Sequence, residues 1–229
     1  MRAVDVMSRD VITVGPNTSV SEIAALFLRR RISGVPVVDG EGKLLGLVSE
    51  GDLVRRVETG TDARHSWWLE LLTEDSARAA SYVKSRGRKA SDVMTAKVVT
   101  ALETTLLRDI AGLMERHGIK RVPIVRDGKV VGIVSRANLI QGLASRGESE
   151  KARSSDDTAI REALLRELNA QGWLSMLTKN IVVTDGVVHL WGFVRSEDER
   201  RAIKVAAENT PGAKGVRDHL NPEPAHTGV

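Results

Sequence analysis

The sequence predicts an α+β protein: two β-α-β-β-α repeats forming one module, then a small C-terminal α/β domain. Three observations predict it. A block of residues recurs at a constant offset, each copy mixes a 3.6-residue apolar stripe with short apolar runs, and an Asp-Gly turn joins two alternating runs near the C-terminus. With 229 residues, 41% of them hydrophobic, the chain is long enough to bury more than one core.

The repeat comes first because it fixes the architecture. Asp5, Val6, Met7, Val11 and Thr13 recur 87 residues later as Asp92, Val93, Met94, Val98 and Thr100. The same offset carries Ile23 to Ile110 and Pro36 to Pro123, and after one deletion Gly46, Ser49 and Leu53 return as Gly132, Ser135 and Leu139. Each copy opens with a short strand, Val11 to Val14 or Val98 to Thr100. A helix follows, with Val20, Ile23, Ala24, Phe27 and Leu28 on one face and Ser19 with Glu22 as a capping box at its start. Leu107, Ile110, Ala111 and Met114 repeat the stripe. Two apolar runs come next, Val35–Val38 and Leu44–Val48 around the turn Asp39–Gly42, matched by Val122–Val125 and Val130–Val134. A last helix opens at Ser49 or Ser135.

These patterns place repeat 1 at 1–56, a helical insert at 57–87, repeat 2 at 88–145, a linker at 146–155, the C-terminal domain at 156–220 and a tail at 221–229. In the insert, Trp67 with Leu71 and Trp68 with Leu72 stand four apart, as on a helix. Two readings of the tryptophan pair stand: a covered or dimer-facing cluster, or an anchor for a partner or membrane. The C-terminal domain reads as a helix from Asp157 to Asn169, a strand Ile181–Thr184, the turn Asp185-Gly186, a strand Val187–Val194, a helix Ser196–Asn209 and a short strand holding Val216.

Composition narrows the function. Cysteine is absent, which excludes disulfides, thiolate metal sites and cysteine nucleophiles. Aromatic residues make up 3%, few for a protein that reads bases by stacking. There is no G-K-[ST] phosphate loop, and Gly40 to Gly46 has the wrong spacing for a dinucleotide fingerprint. The five histidines lack ligand spacing, so neither a metal nor catalysis is expected. Without a signal-like or membrane-spanning apolar run, the expectation is a cytoplasmic protein. The net charge of +4 is unevenly spread: residues 54–155 carry +7 and the remainder −3.

The doubled D-V-M-x-x-x-V-x-T, followed by V-P-V-V or V-P-I-V and G-L-V-S or G-I-V-S, resembles a tandem of cystathionine-β-synthase (CBS) domains, a Bateman module. Met7, Pro36, Gly46, Ser49 and Asp52 carry the match in the first copy. The stretch from Asp157 through Ile181–Thr184, Asp185-Gly186, Leu190, Gly192, Val194, Ala206 and Pro211-Gly212 to Leu220 is similar to a BON domain. The first resemblance implies a non-catalytic regulatory protein that binds an adenine nucleotide (AMP, ADP or ATP) and pairs as a homodimer. The second implies contact with a protein partner or a phospholipid surface.

In CBS pairs the serine and aspartate of a Ser-x-x-Asp hold the ribose, which points to Ser49 and Asp52. A carboxylate is acceptor-only and can receive both ribose hydroxyls. The plainer reading of Ser-x-x-Asp is a helix capping box. Repeat 2 has Ser135 and Asn138 in these places, and an uncharged amide makes that second site doubtful. The resemblance makes Lys120, Arg121, Arg136 and Ser33 the phosphate candidates, and Val35, Val99 and Thr100 the adenine wall. For the basic residues the plainer reading is a solvated basic loop. Two other functions stay open: an envelope or phospholipid tether in which the CBS pair is only a dimer scaffold, and nucleic-acid binding through the basic insert, the less favoured of the two.

Overall fold

The computed structural model describes residues 1–54, 86–145, 155–172, 174–176 and 179–224. The helix expected in the insert, Trp67, Trp68, Trp173, most of the linker and the end of the tail lie outside the described residues. The chain separates into two compact units. The first unit comprises Val11–Val99 with Arg126–Val130, and the second comprises Met1–Asp10, Thr100–Val125 and Val131–Val229.

In the first unit, α1 (Val20–Arg30) starts at the expected capping box: the Ser19 amide donates to Glu22 Oε2 at 2.8 Å, and the Glu22 amide donates to Ser19 Oγ at 3.2 Å. Its apolar face buries Ile23 and Phe27, and Arg31 ends it in the left-handed conformation. Strands β1 (Gly34–Val38) and β2 (Leu44–Ser49) pair antiparallel, with Val35 opposite Val48. Helix α2 (Glu50–Val54) leaves β2 directly, and α3 (Ala90–Val93) completes the core with Val35, Val37 and Val48. The expected opening strand is reduced to a single parallel bridge, Val14 to Val37, because Gly15 and Pro16 follow at once.

The second unit repeats the plan. Helix α4 (Leu107–Arg116) packs on the hairpin of β3 (Arg121–Arg126) and β4 (Lys129–Ser135), and α5 (Arg136–Ser145) follows. Ala101 makes the single parallel bridge, to Ile124. Ala3, Met7, Ile110, Val122, Ile124 and Val134 form the core.

The two D-V-M segments are exchanged between the repeats. Met94 lies over Gly46 in the first unit, and Met7 over Gly132 in the second, each so close that a Cβ on the glycine would overlap the thioether chain. The exchange is matched bond for bond. The Ala90 amide donates to Thr18 O and the Ala3 amide to Thr105 O, both at 2.8 Å; Thr95 bridges Leu47 as Ser8 bridges Ile133. The aspartates of the motif cap these turns. Asp92 accepts from the Arg88 and Lys89 amides at 3.1 Å, which hold its carboxyl below the usual aspartate range, and Asp5 accepts from the Arg2 amide. A sequence repeat reveals its period, but not which copy a lead-in segment packs upon.

The C-terminal domain belongs to the second unit. Helix α6 (Ser155–Asn169) precedes β5 (Lys179–Thr184) and β6 (Val187–Val194), then α7 (Glu197–Asn209) and β7 (Gly215–Pro222). The strand order is β5-β6-β7, antiparallel then parallel, as a helical crossover through α7 requires. Asp185 and Gly186 both take positive φ, 53° and 81°, the geometry of a tight two-residue hairpin. One sheet face packs Ile181, Val183, Val188, Leu190 and Leu220 against Ile160, Leu164 and Ile203. Trp191 alternates to the other face, where it stacks on His219 at 3.9 Å between ring centroids. Among the described residues, no helix is long and apolar enough to cross a membrane.

Candidate functional site

Ser49 ends β2 and Asp52 stands in the first turn of α2. The Asp52 carboxylate accepts from the Ser49 amide at 2.9 Å and from Ser49 Oγ at 2.7 Å. The Glu50 amide donates to the carbonyl of Ser33 at 3.1 Å, tying the start of β1 to this turn. Three of the expected residues are thus brought together by one short loop-to-helix junction. Ser49 and Asp52 are both half-buried. Val35 is fully buried in the core behind them, and Val99 is half-buried.

Repeat 2 builds the same junction from different chemistry. Asn138 Oδ1 accepts from the Ser135 amide at 2.8 Å and from Ser135 Oγ at 2.7 Å, and the Arg136 amide donates to the Lys120 carbonyl at 3.2 Å. In both repeats the side chain three residues on thus caps the serine, and in repeat 2 the Asn138 amide also donates back to Ser135 Oγ at 3.4 Å. The difference lies in what surrounds the side chain. Asn138 is 4% exposed, and its Nδ2 donates to Ser8 Oγ at 3.4 Å and, more weakly, to Gln141 Oε1 at 3.5 Å. Lys120 and Arg136 are exposed, and Arg121 and Thr100 are half-buried.

Ser8 and Gln141 were not singled out by sequence. Ser8 reaches the motif through the exchange of lead-in segments, and Gln141 is one polar residue on a helix. Among the described residues, no group of three or more histidines and carboxylates is arranged to hold a metal.

The CBS-domain family model matches residues 3–59 and 90–145, and the BON-domain model matches 156–222. The chain belongs to the CBS-domain family. It carries a tandem CBS pair followed by a C-terminal BON domain. An uncharacterised protein of Methanocaldococcus jannaschii is 31% identical over 150 residues, which cover 61% of this chain and 89% of the relative. The CBS domain-containing protein CBSX1 of Arabidopsis thaliana is 34% identical over 138 residues, 58% of either chain. The crystal structure of CBSX2 in complex with AMP superposes with a TM-score of 0.54 at 27% identity, covering 62% of this chain and 96% of that one. The CBS-domain chain thus spans most of the archaeal relative and rather more than half of CBSX1.

Proposed function

We propose that this CBS-domain protein is a non-catalytic regulator whose first repeat binds an adenine nucleotide, AMP, ADP or ATP. The observation that supports it is the half-buried Ser49–Asp52 junction on a CBS pair similar to CBSX2, which was solved with AMP. Asp52 receives the ribose hydroxyls, and Val99 and Thr100, with Val35 behind, contribute the apolar wall for adenine. Lys120, Arg121, Arg136 and the Ser33 hydroxyl are the phosphate partners, a role resting on charge and sequence position. Asn138, an amide in a buried place, leaves the second repeat without an equivalent carboxylate, so one nucleotide binds per chain. Regulation then requires that the nucleotide favour one of two states of the protein. The BON domain delivers that change to a protein partner or a phospholipid surface. The chain pairs as a homodimer through its CBS helices, where Ile140 and Leu143 stand 66% and 74% exposed on α5.

A thermal-shift panel of AMP, ADP, ATP, NAD and S-adenosylmethionine tests this reading against Asp52→Ala and Asp52→Asn. The asparagine variant is the sharper of the two, because Asn138 makes the same two capping bonds in repeat 2. It keeps the fold and removes the charge. The expected result is stabilisation of the wild type by at least one adenine nucleotide and its loss in both variants. Equal stabilisation of the variants removes Asp52 from the site.

A further inference from the structure

The second repeat and the BON domain share a buried polar seam. Arg161 of α6 is 2% exposed although it carries a guanidinium. Its Nε donates to Ile181 O at 2.7 Å, Nη1 to Val4 O at 3.0 Å and Nη2 to Met7 O at 2.9 Å. Asn180, 6% exposed at the start of β5, donates to Val6 O at 2.9 Å and to Gln141 Oε1 at 2.8 Å. At the end of α5, Trp191 Nε1 donates to Ser145 Oγ at 3.0 Å, and Arg9 pairs with Glu162 at 3.1 Å on the rim.

A guanidinium is costly to bury unless its N–H groups find acceptors, and bonds from a charged donor are stronger than neutral ones. Arg161 stands between Ile160 and Leu164 in the apolar stripe of α6, where the BON domain alone calls for an apolar residue. Its acceptors Val4 and Met7 come from the lead-in segment seated on the second repeat. Gln141 connects this seam to the repeat's own motif, since its Oε1 faces both Asn180 and Asn138. An amide at position 138 can donate toward Gln141 Oε1 and Ser8; a carboxylate there would set negative charge against that oxygen.

We propose that the second CBS repeat is the docking platform of the BON domain, and that its Ser135–Asn138 motif is recruited into this seam in place of a nucleotide. The recruitment half rests on the nucleotide reading of the first repeat; the docking half does not. Cross-linking tests the dock directly. The chain has no cysteine, so Arg9→Cys with Glu162→Cys supplies its only two thiols, on the rim, where the side chains are 32% and 47% exposed. A short bis-maleimide is expected to join them within one full-length chain. Gln141→Leu, Arg161→Met and Asn138→Asp are each expected to slow the joining several-fold with circular dichroism unchanged. Gln141 lies on the CBS side, so its variant decides even if Arg161→Met unfolds the BON domain. Failure of the pair to join, or joining at one rate in the parent and the Gln141 variant, overturns the dock. Calorimetry with AMP on the cross-linked protein separates the two readings. One AMP per chain agrees with recruitment, two per chain overturn it, and none refutes the nucleotide reading while the cross-linking result stands.

Discussion

Replacing Gly132 with alanine puts a methyl carbon 2.5 Å from Met7 Sδ, 3.0 Å from its Cγ and 3.3 Å from its Cε. Non-bonded carbon contacts relax near about 3.5–4.0 Å, so the thioether must retreat by roughly 1 Å. Met7 is fully buried in a core shared with Ile110, Ile124 and Val134, which leaves little room. Overpacking of this kind costs about 1–3 kcal/mol, and the flexibility of methionine places Gly132→Ala in the lower half of that span. For a chain of this size each kcal/mol moves Tm by about 2–4 °C, so a fall of roughly 2–8 °C is expected by circular dichroism. A double-mutant cycle isolates the cause. In a Met7→Ala background the new methyl meets space, and its cost should shrink to within about 0.5 kcal/mol of zero. Gly40→Ala is the control, because a Cβ there meets nothing within 4 Å, and it should be neutral. A full Gly132→Ala penalty in the Met7→Ala background refutes the exchanged packing of the lead-in segment. Gly46 stands in the same relation to Met94, so Gly46→Ala with Met94→Ala repeats the experiment in the first unit.

Two further predictions concern charge. Glu199 and Lys179 form an ion pair at 3.1 Å with both side chains 4% exposed. Burial pushes the Glu199 carboxyl up, but the Arg195 amide and the Lys179 ammonium outweigh it and hold the group below its ordinary 4.5. Its stabilising contribution is therefore full above about pH 4.5 and lost as pH falls through the lower folded value. Urea titrations should show Glu199→Gln costing about 3 kcal/mol or more at pH 7, with the gap to wild type closing toward pH 3; a gap independent of pH contradicts the assignment. Lys120→Ala and Arg136→Ala, at exposed positions, should leave stability within about 0.5 kcal/mol and weaken AMP several-fold without changing the affinity for adenosine. Equal weakening of both ligands removes these residues from the phosphate.

Much of the fold was legible because its signals are local. The Ser19–Glu22 box marks the start of α1 and Asp185-Gly186 marks the β5–β6 turn, each within four residues of sequence. The Ser49–Asp52 junction was legible for the same reason. What escaped depends on distant segments. The opening strands shrink to single bridges because Gly15 and Pro16 cut one short, and the pairing of Met7 with Gly132 spans the whole module. Alternation along β6 assigns Leu190 and Trp191 to opposite faces without saying which face is the core. Arg161 did leave a local trace, a charge at the centre of an apolar stripe. Two of its acceptors, however, the carbonyls of Val4 and Met7, lie more than 150 residues away. Asn138 was noticed as a lost carboxylate; its burial beside Ser8 and Gln141 has no sequence signature.

The most direct measurement of the central claim is a calorimetric titration of the full-length chain with AMP, alongside Asp52→Asn and Asn138→Ala. The account predicts one AMP per chain in the wild type, undiminished affinity in Asn138→Ala, and loss of at least tenfold in affinity for Asp52→Asn. Equal affinity in Asp52→Asn and wild type, or loss confined to Asn138→Ala, contradicts it.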